Sequence, residues 1–165
     1  MRVSLGRKGD YAVRAALYLA RHYGDGRRKT REIAADMDIP ENYLPQVLGE
    51  LVRADLVASF AGPNGGYELT RSPESISLLD VVEAAEEPIR SETCLLREGP
   101  CRWEEMCAIH VAWSGAQSAL IDQLAKTTFA SLSDIDAQLE AGTLPVTQRH
   151  GFRRGSSSSG SRPPY

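Results

Sequence analysis

The sequence contains no uninterrupted apolar run of the roughly 18 residues that a membrane-spanning helix requires, and its N-terminal segment lacks the apolar stretch of a secretory signal peptide. It also lacks a C-x-x-C motif and a glycine-rich nucleotide-binding loop. These absences argue against membrane and secreted proteins and against thiol redox or nucleotide-dependent enzymes. We therefore expect a cytoplasmic protein that is not an enzyme, with a thiol redox enzyme as a remote alternative.

Cysteine is scarce. The three cysteines, Cys94, Cys101 and Cys107, lie close together in one short stretch. An odd number of cysteines in a chain without a secretion signal argues against a disulfide framework. A metal site, reactive thiols or a chance arrangement remain as explanations.

Size and charge fit a compact domain with one accessory element. The chain has 165 residues, of which 42% are hydrophobic and 25% charged. Residues 1–71 carry 11 basic and 9 acidic side chains, residues 72–145 carry 4 and 13, and residues 146–165 carry 4 basic and none acidic. This distribution would let residues 1–71 approach a polyanion while the acidic residues 72–145 face away from it. Solvated helix faces would give the same pattern.

The N-terminal third of the chain predicts three short helices. Apolar residues at helical spacing indicate one helix over residues 10–22 and a second over residues 31–37. After a tight turn, a third helix ends near Ala54. We expect it to begin with Asn42 as the N-cap, because Pro45 then falls in the first turn, where it removes no hydrogen bond. Three helices connected in this way predict a helix-turn-helix.

A short β-hairpin is expected next. Residues 57–60 and 66–69 are strand-like runs, and the Asn64-Gly65 pair between them is a strong hairpin signal. We expect this hairpin to form the wing of a winged helix. Ser77 then caps a further helix that ends before Pro88.

Residues 104–131 contain no proline and predict one long amphipathic helix. Its apolar residues recur at three-to-four spacing and form a stripe of Ile109, Trp113, Ala116, Leu120 and Leu124. A small winged-helix core cannot cover this stripe. We expect it to pair with the same helix of a second copy, giving a homodimer, with folding back onto its own domain as the alternative.

The expected fold is therefore mainly α with a small β-hairpin. A winged helix-turn-helix DNA-binding domain occupies residues 1–88, and a cysteine loop with a long C-terminal dimerisation helix occupies residues 89–142. Residues 143–165 contain too little apolar surface to order themselves and are expected to form a disordered tail.

Four motifs occur in a fixed order along residues 1–140: Lys8-Gly9-Asp10-Tyr11-Ala12-Val13, then Tyr43-Leu44 with Val47-Leu48, then Gly62-Pro63-Asn64-Gly65-Gly66-Tyr67, and finally the three-cysteine segment. Together they resemble the IscR and NsrR group of bacterial winged-helix transcription regulators, which carry iron–sulfur clusters. No single motif is decisive, but their order and spacing make the resemblance specific.

The resemblance implies a homodimer that binds double-stranded DNA, with the third helix in the major groove and the wing against the minor groove or the backbone. The amides of Asn42 and Gln46 suit paired contacts with adenine, while Arg31 and Arg53 suit phosphates. A solvated helix surface is the alternative. The full set of expected DNA-binding residues is Arg31, Asn42, Tyr43, Gln46, Arg53, Gly62, Asn64, Gly65 and Gly66.

Two positions depart from the family pattern. Family members often carry an acidic residue where this chain has Pro45 and an arginine where it has Ala61. An arginine in the wing suits a narrow minor groove, so we expect DNA binding here to depend more on the third helix. The operator sequence does not carry over from the family.

Cys94, Cys101, Cys107 and His110 form the pattern C-x6-C-x5-C-x2-H. Cys107 and His110 share a helical face, and a loop can bring the other two cysteines towards them. Three thiolates and an imidazole suit either a 2Fe-2S cluster or Zn²⁺. The wide spacing makes zinc the less favoured of the two.

The resemblance offers two fourth ligands. His110 matches the histidine that completes the 2Fe-2S site of IscR-like members, whereas Asp10 matches the carboxylate that completes a 4Fe-4S site in NsrR-like members from the other subunit. We favour His110, and Asp10 could equally cap the first helix. A site with fewer than four cysteines suits a sensor of redox state, nitric oxide or iron–sulfur status. We expect such a sensor to act as a repressor.

Overall fold

The computed structural model of the protein describes residues 5–86 and 107–143. Within these residues it contains six α-helices and one two-stranded antiparallel sheet, in the order α1 (Arg7–Arg21), α2 (Thr30–Asp36), α3 (Leu44–Arg53), β1 (Val57–Phe60), β2 (Gly66–Leu69), α4 (Leu78–Ala85), α5 (Ala108–Lys126) and α6 (Phe129–Glu140). This confirms the predicted winged helix-turn-helix fold, mainly α with a small β-hairpin. None of the described helices is long and apolar enough to cross a membrane.

The core lies where α1 packs against α3 and α4. The inward face of α1 is rich in alanine, and its Ala12, Ala15 and Ala16 are almost completely buried. Such small side chains let neighbouring helices approach closely. The buried residues of α3 recur at helical spacing, namely Leu44, Val47, Leu48 and Leu51. Truncating one of these leucines to alanine typically costs about 2–5 kcal/mol of stability. The buried face of α3 is therefore needed for folding, whereas its opposite face, which includes Gln46, is exposed.

The predicted start of α3 at Asn42 is wrong. The helix begins at Leu44, with Tyr43 as the N-cap. Residues 40–43 instead form a turn, in which the N–H groups of Tyr43 and Leu44 donate to the Pro40 carbonyl at 3.0 and 3.2 Å. Pro45 lies within the first two helical positions, where a missing amide proton has no cost, so the proline itself is placed as expected.

The wing, defined as β1, the loop 61–65 and β2, has the predicted strand bounds. Val57 pairs with Leu69 at its base, and Phe60 pairs with Gly66 at its tip. Arg28 adds a short third edge, because its backbone exchanges hydrogen bonds of 2.9 and 2.8 Å with Tyr67.

The prediction of one continuous helix over residues 104–131 is wrong. The helix ends at Lys126, and the Thr128 hydroxyl accepts a hydrogen bond from the Ser131 N–H at 3.2 Å, capping a new helix, α6. Threonine loses side-chain freedom within a helix and is favoured as an N-cap, which explains the break.

The break lets α6 fold back onto the winged-helix core. Phe129 is completely buried, and its N–H donates to the Ile76 carbonyl at 2.9 Å. Arg21 of α1 lies 3.2 Å from Asp136 and 3.0 Å from Glu140. The fold-back alternative therefore holds for α6 and for the part of α5 that packs against α4 through the buried Ile121, while Ile109 and Leu120 of the stripe stay exposed. The division at residue 88 stays a prediction, and residues 144–165 of the predicted tail lie outside the described residues.

Ser77 caps α4 as predicted. Its hydroxyl accepts from the Asp80 N–H at 3.1 Å, while the Asp80 carboxylate accepts from the Ser77 N–H at 2.8 Å. The helix ends at Ala85, and Glu86 is the last described residue before the segment that holds Cys94 and Cys101.

Candidate functional site

The start of α3 presents two exposed amide side chains. Asn42 lies in the turn that precedes the helix, and Gln46 lies on its first turn. In helix-turn-helix proteins the N-terminal residues of the second helix meet base edges in the major groove. Both amides are therefore available for recognition, although only Gln46 is held by the helix itself.

Tyr43 is half-buried, and its ring packs edge-on against Tyr11 with 5.7 Å between the ring centroids. This contact joins the start of α3 to α1. In the free chain the ring therefore fixes how the backbone enters α3.

The two arginines that are expected to contact phosphates, Arg31 and Arg53, have different surroundings. Arg31 is exposed near the start of α2, and no carboxylate within the described residues pairs with it. Arg53 is 71% exposed and lies 2.5 Å from Glu50. Glu50 also lies 3.4 Å from the ammonium of Lys8. Sequence reasoning included Lys8 in the first family motif but assigned it no role; in the structure it connects the first turn of α1 to α3.

The glycines of the wing fall into two groups. Gly62 and Asn64 are exposed, and the N–H of Gly65 donates to the Gly62 carbonyl at 3.0 Å to close the turn. A Cβ at Gly65 would lie 2.0 Å from the Phe60 carbonyl oxygen, and one at Gly66 would lie 2.6 Å from a backbone oxygen at a φ of +148°. Gly65 and Gly66 are therefore required by the fold, whereas Gly62 and Asn64 remain accessible to a ligand.

A run of three basic residues, 27–29, lies along the wing and was missed from the sequence. The guanidinium carbon of Arg27 is 3.6 Å from the centroid of the Phe60 ring. The ammonium of Lys29 donates to the Pro63 carbonyl in the wing loop at 2.6 Å. Three consecutive cations before a predicted helix are a recognisable charge signal, but their position beside the wing is a tertiary feature.

The cysteine site is described in part. Cys107 is the N-cap of α5, and its Sγ accepts from the His110 N–H at 3.4 Å. Within the described residues the imidazole of His110 has no hydrogen-bond partner, and the residue is exposed. Cys107 and His110 therefore share the first turn of α5, as expected. Cys94 and Cys101 lie outside the described residues, and residues 5–86 and 107–143 contain no group of three possible metal ligands.

Asp10, the alternative ligand, is already engaged. Its two carboxylate oxygens accept from Nε and Nη2 of Arg14 at 3.0 and 2.6 Å. Arg14 in turn donates to the Met37 carbonyl at 3.2 Å. Asp10 lies in the first turn of α1, where the helix dipole favours an acidic group, but the N-cap of that helix is Gly6.

Comparison with known proteins places this geometry in a family. The family model Rrf2, described as an iron-dependent transcriptional regulator, matches residues 5–135. The regulator IscR of Sodalis glossinidius (strain morsitans) is 36% identical over 125 residues, which cover 76% of this chain and 75% of the relative. IscR of Erwinia tasmaniensis is 35% identical over the same length, with the same coverage of both chains.

Solved structures of regulators named CymR and IscR are similar to this chain. CymR (YrzC), the global cysteine regulator of B. subtilis, aligns with a TM-score of 0.70 at 28% identity, covering 81% of this chain and 98% of CymR. IscR of T. potens aligns with a TM-score of 0.67 at 26% identity, covering 90% and 97%. The chain belongs to the Rrf2 family of transcriptional regulators.

Proposed function

We propose that this protein is a homodimeric, sequence-specific DNA-binding repressor whose affinity for its operator depends on an iron–sulfur centre held by Cys94, Cys101, Cys107 and His110. The DNA-binding part of this proposal depends on one observation: the exposed start of α3 lies beside the wing. The membership of the chain in a family of transcriptional regulators supports the same interpretation. The cysteine pattern around the start of α5 supports the sensing part.

In this proposal Gln46 and Asn42 read base edges in the major groove. Arg31 and Arg53 neutralise phosphates and fix the register of the protein on the duplex. Gly62 and Asn64 bring the wing loop close to the backbone. Tyr43 positions the start of α3 through its packing against Tyr11.

The dimer part rests on α5. Ile121 is the one buried residue of this helix. Ile109 and Leu120 share a face of α5 and are 48% and 37% exposed. An apolar stripe on a helix that leaves the core needs a cover, and the same helix of a second copy supplies one with two-fold symmetry. Two α3 helices then address two half-sites.

The donors fit a soft metal centre. Cys107 and His110 are on one helical turn, and a thiolate with an imidazole suits iron–sulfur ligation. His110 is free within the described residues, whereas Asp10 would have to give up both hydrogen bonds to Arg14. This difference favours His110 as the fourth ligand. When bound, an iron–sulfur centre supplies reactivity towards oxidants and nitric oxide.

Contacts of the residue that precedes residues 87–106 provide a route from the cysteine segment to α3. Glu86, which precedes the segment, accepts a hydrogen bond from the Gly6 N–H. Lys8, which follows Gly6 by two residues, pairs with Glu50 on α3. A shift of the cysteine segment can thus move the first turn of α1 and, through it, the DNA-reading helix.

The same DNA-binding protein with a structural zinc ion, or with no metal, is the second candidate. The structural likeness to CymR, named as a cysteine regulator, supports keeping it. Anaerobic purification followed by visible absorption, iron, sulfide and zinc analysis separates the candidates. We expect a coloured protein with iron and acid-labile sulfide; a colourless protein with stoichiometric zinc, or with no metal, contradicts the iron–sulfur proposal.

The fourth ligand is tested with a pair of variants. We expect His110→Ala to change the absorption spectrum and lower the iron content, while Asp10→Ala leaves both unchanged. The reverse result would assign the site to the carboxylate and a 4Fe-4S cluster.

DNA binding is tested separately, by selecting duplexes from a random-sequence library with the full-length wild-type chain. Failure to enrich any sequence contradicts the proposed DNA binding.

A further inference from the structure

The wing carries no positive charge of its own. Residues 57–69 include no lysine or arginine, and their single charged residue is Glu68. A wing that contacts DNA lies against phosphates, and a negative charge there opposes binding unless cations are supplied from elsewhere.

Residues 27–29 supply them. Arg28 is bridged to Tyr67 through its backbone, so this segment runs along β2 as an added edge. Side chains alternate across such an extended segment, which puts Arg27 and Lys29 on one face and Arg28 on the other. The contacts agree, because Arg27 lies on Phe60 and Lys29 binds the Pro63 carbonyl.

The aromatic ring of Phe60 holds the guanidinium of Arg27 at the tip of the wing. The two groups are 3.6 Å apart, within the range of a cation–π interaction. Phe60 pairs with Gly66 immediately before the loop, so the cation is near the point that would approach the duplex. Arg27 stays 41% exposed, and the carboxylate that pairs with it among residues 5–86 and 107–143, that of Glu68, is 4.0 Å away. Within this part of the chain the guanidinium therefore retains donors for a further partner.

We propose that Arg27 and Lys29, here called the wing cations, make the phosphate contacts of the wing, and that Phe60 is the positioning residue for Arg27. This inference rests on the proposed DNA-binding function and names residues that it does not include. Lys29 adds a second charge while its bond to the Pro63 carbonyl ties the loop to the segment before α2.

The experiment measures the affinity of full-length variants for a duplex selected from a random-sequence library by the wild-type chain, over about 50–200 mM salt. Log affinity falls as log salt rises, and each lost phosphate contact reduces the magnitude of this slope by about 0.9. We expect this loss for Arg27→Gln and for Lys29→Gln. Arg27→Lys keeps the charge and should restore most of the slope. Arg71→Gln, which removes an exposed arginine outside the wing and α3, should leave the slope unchanged.

The role of Phe60 is tested by a double-mutant cycle. Phe60→Leu should reduce the magnitude of the slope in the wild-type background and have no further effect in the Arg27→Gln background. Equal effects in both backgrounds indicate a merely structural role and contradict the positioning claim. Thermal melting verifies that each variant is folded. A wild-type chain that selects no duplex overturns the proposed function and this inference together, whereas wild-type binding with unchanged slopes for both Arg27→Gln and Lys29→Gln overturns this inference alone.

Discussion

The carboxylate of Glu86 accepts a hydrogen bond from the backbone N–H of Gly6 at 2.5 Å. Gly6 is the N-cap of α1 and has no side chain to cap the first turn, and Glu86, at the end of α4, satisfies the backbone N–H of Gly6, which has no partner within the helix. A Cβ on Gly9 would lie 2.4 Å from the same oxygen, which shows how closely the carboxylate covers that turn. The last described residue before the cysteine segment is thus joined to the helix that carries Lys8.

Glu86→Ala should destabilise the fold by about 1 kcal/mol, the usual cost of removing a capping side chain. The measurement is urea unfolding followed by circular dichroism. Glu83→Ala is the matched control, because Glu83 is exposed on the same helix and caps nothing in the described structure. Equal effects of the two substitutions would show that Glu86 acts only through general charge or helix propensity.

Cys107 is expected to have two separable roles, which its serine and alanine variants distinguish. Serine keeps an N-cap acceptor but replaces the soft sulfur ligand, so Cys107→Ser should lose iron while α5 stays capped. Cys107→Ala should lose iron and also be less stable than the serine variant, by up to about 1 kcal/mol. Iron analysis and thermal melting provide the two readouts. Full iron content in either variant contradicts the assignment of Cys107 as a ligand.

Leu120→Glu should convert the dimer to a monomer, because it puts a charge in the apolar stripe that the second copy is expected to cover. Ser118→Glu is the control, since Ser118 is exposed and lies about 200° around the same helix, at about 100° per residue. Sedimentation equilibrium should give twice the 18.0 kDa chain mass for the wild type and the control, and the chain mass for Leu120→Glu. A monomeric wild type contradicts the homodimer.

Gln46→Ala should weaken recognition at one base pair of the selected operator by about 1–3 kcal/mol and leave the other positions unaffected. Arg31→Gln should instead weaken binding to all sequences equally and reduce the salt dependence, because a phosphate contact carries no sequence information. Binding measured against a panel of single-base operator variants separates the two patterns. A uniform loss for Gln46→Ala would mean that this side chain does not read a base.

The sequence predicted the wing well because its signals are local. The Asn64-Gly65 pair marks the turn, and the strand bounds on either side of it are confirmed. The predicted helix boundaries are wrong at the two places where local structural preferences compete. The turn over residues 40–43 satisfies the Tyr43 and Leu44 amides before Asn42 can act as a cap, and the Thr128 hydroxyl caps a new helix within an otherwise helical pattern.

The remaining features depend on contacts between distant parts of the chain. The stacking of Arg27 on Phe60 and the capping of α1 by Glu86 join elements whose periodicity says nothing about their relative positions. The basic run was visible in the sequence, but the absence of cations in the wing becomes meaningful only when the two segments are placed side by side.

The most direct measurement is the affinity of the anaerobically purified wild-type protein for its selected operator, before and after removal of the metal centre, with Cys107→Ser measured in parallel. We expect the wild-type affinity to change by about tenfold, corresponding to about 1.4 kcal/mol of coupling between the two sites, and Cys107→Ser to show one affinity under both treatments. A wild-type affinity that is identical under every redox condition would contradict the proposed coupling between the cysteine site and DNA binding.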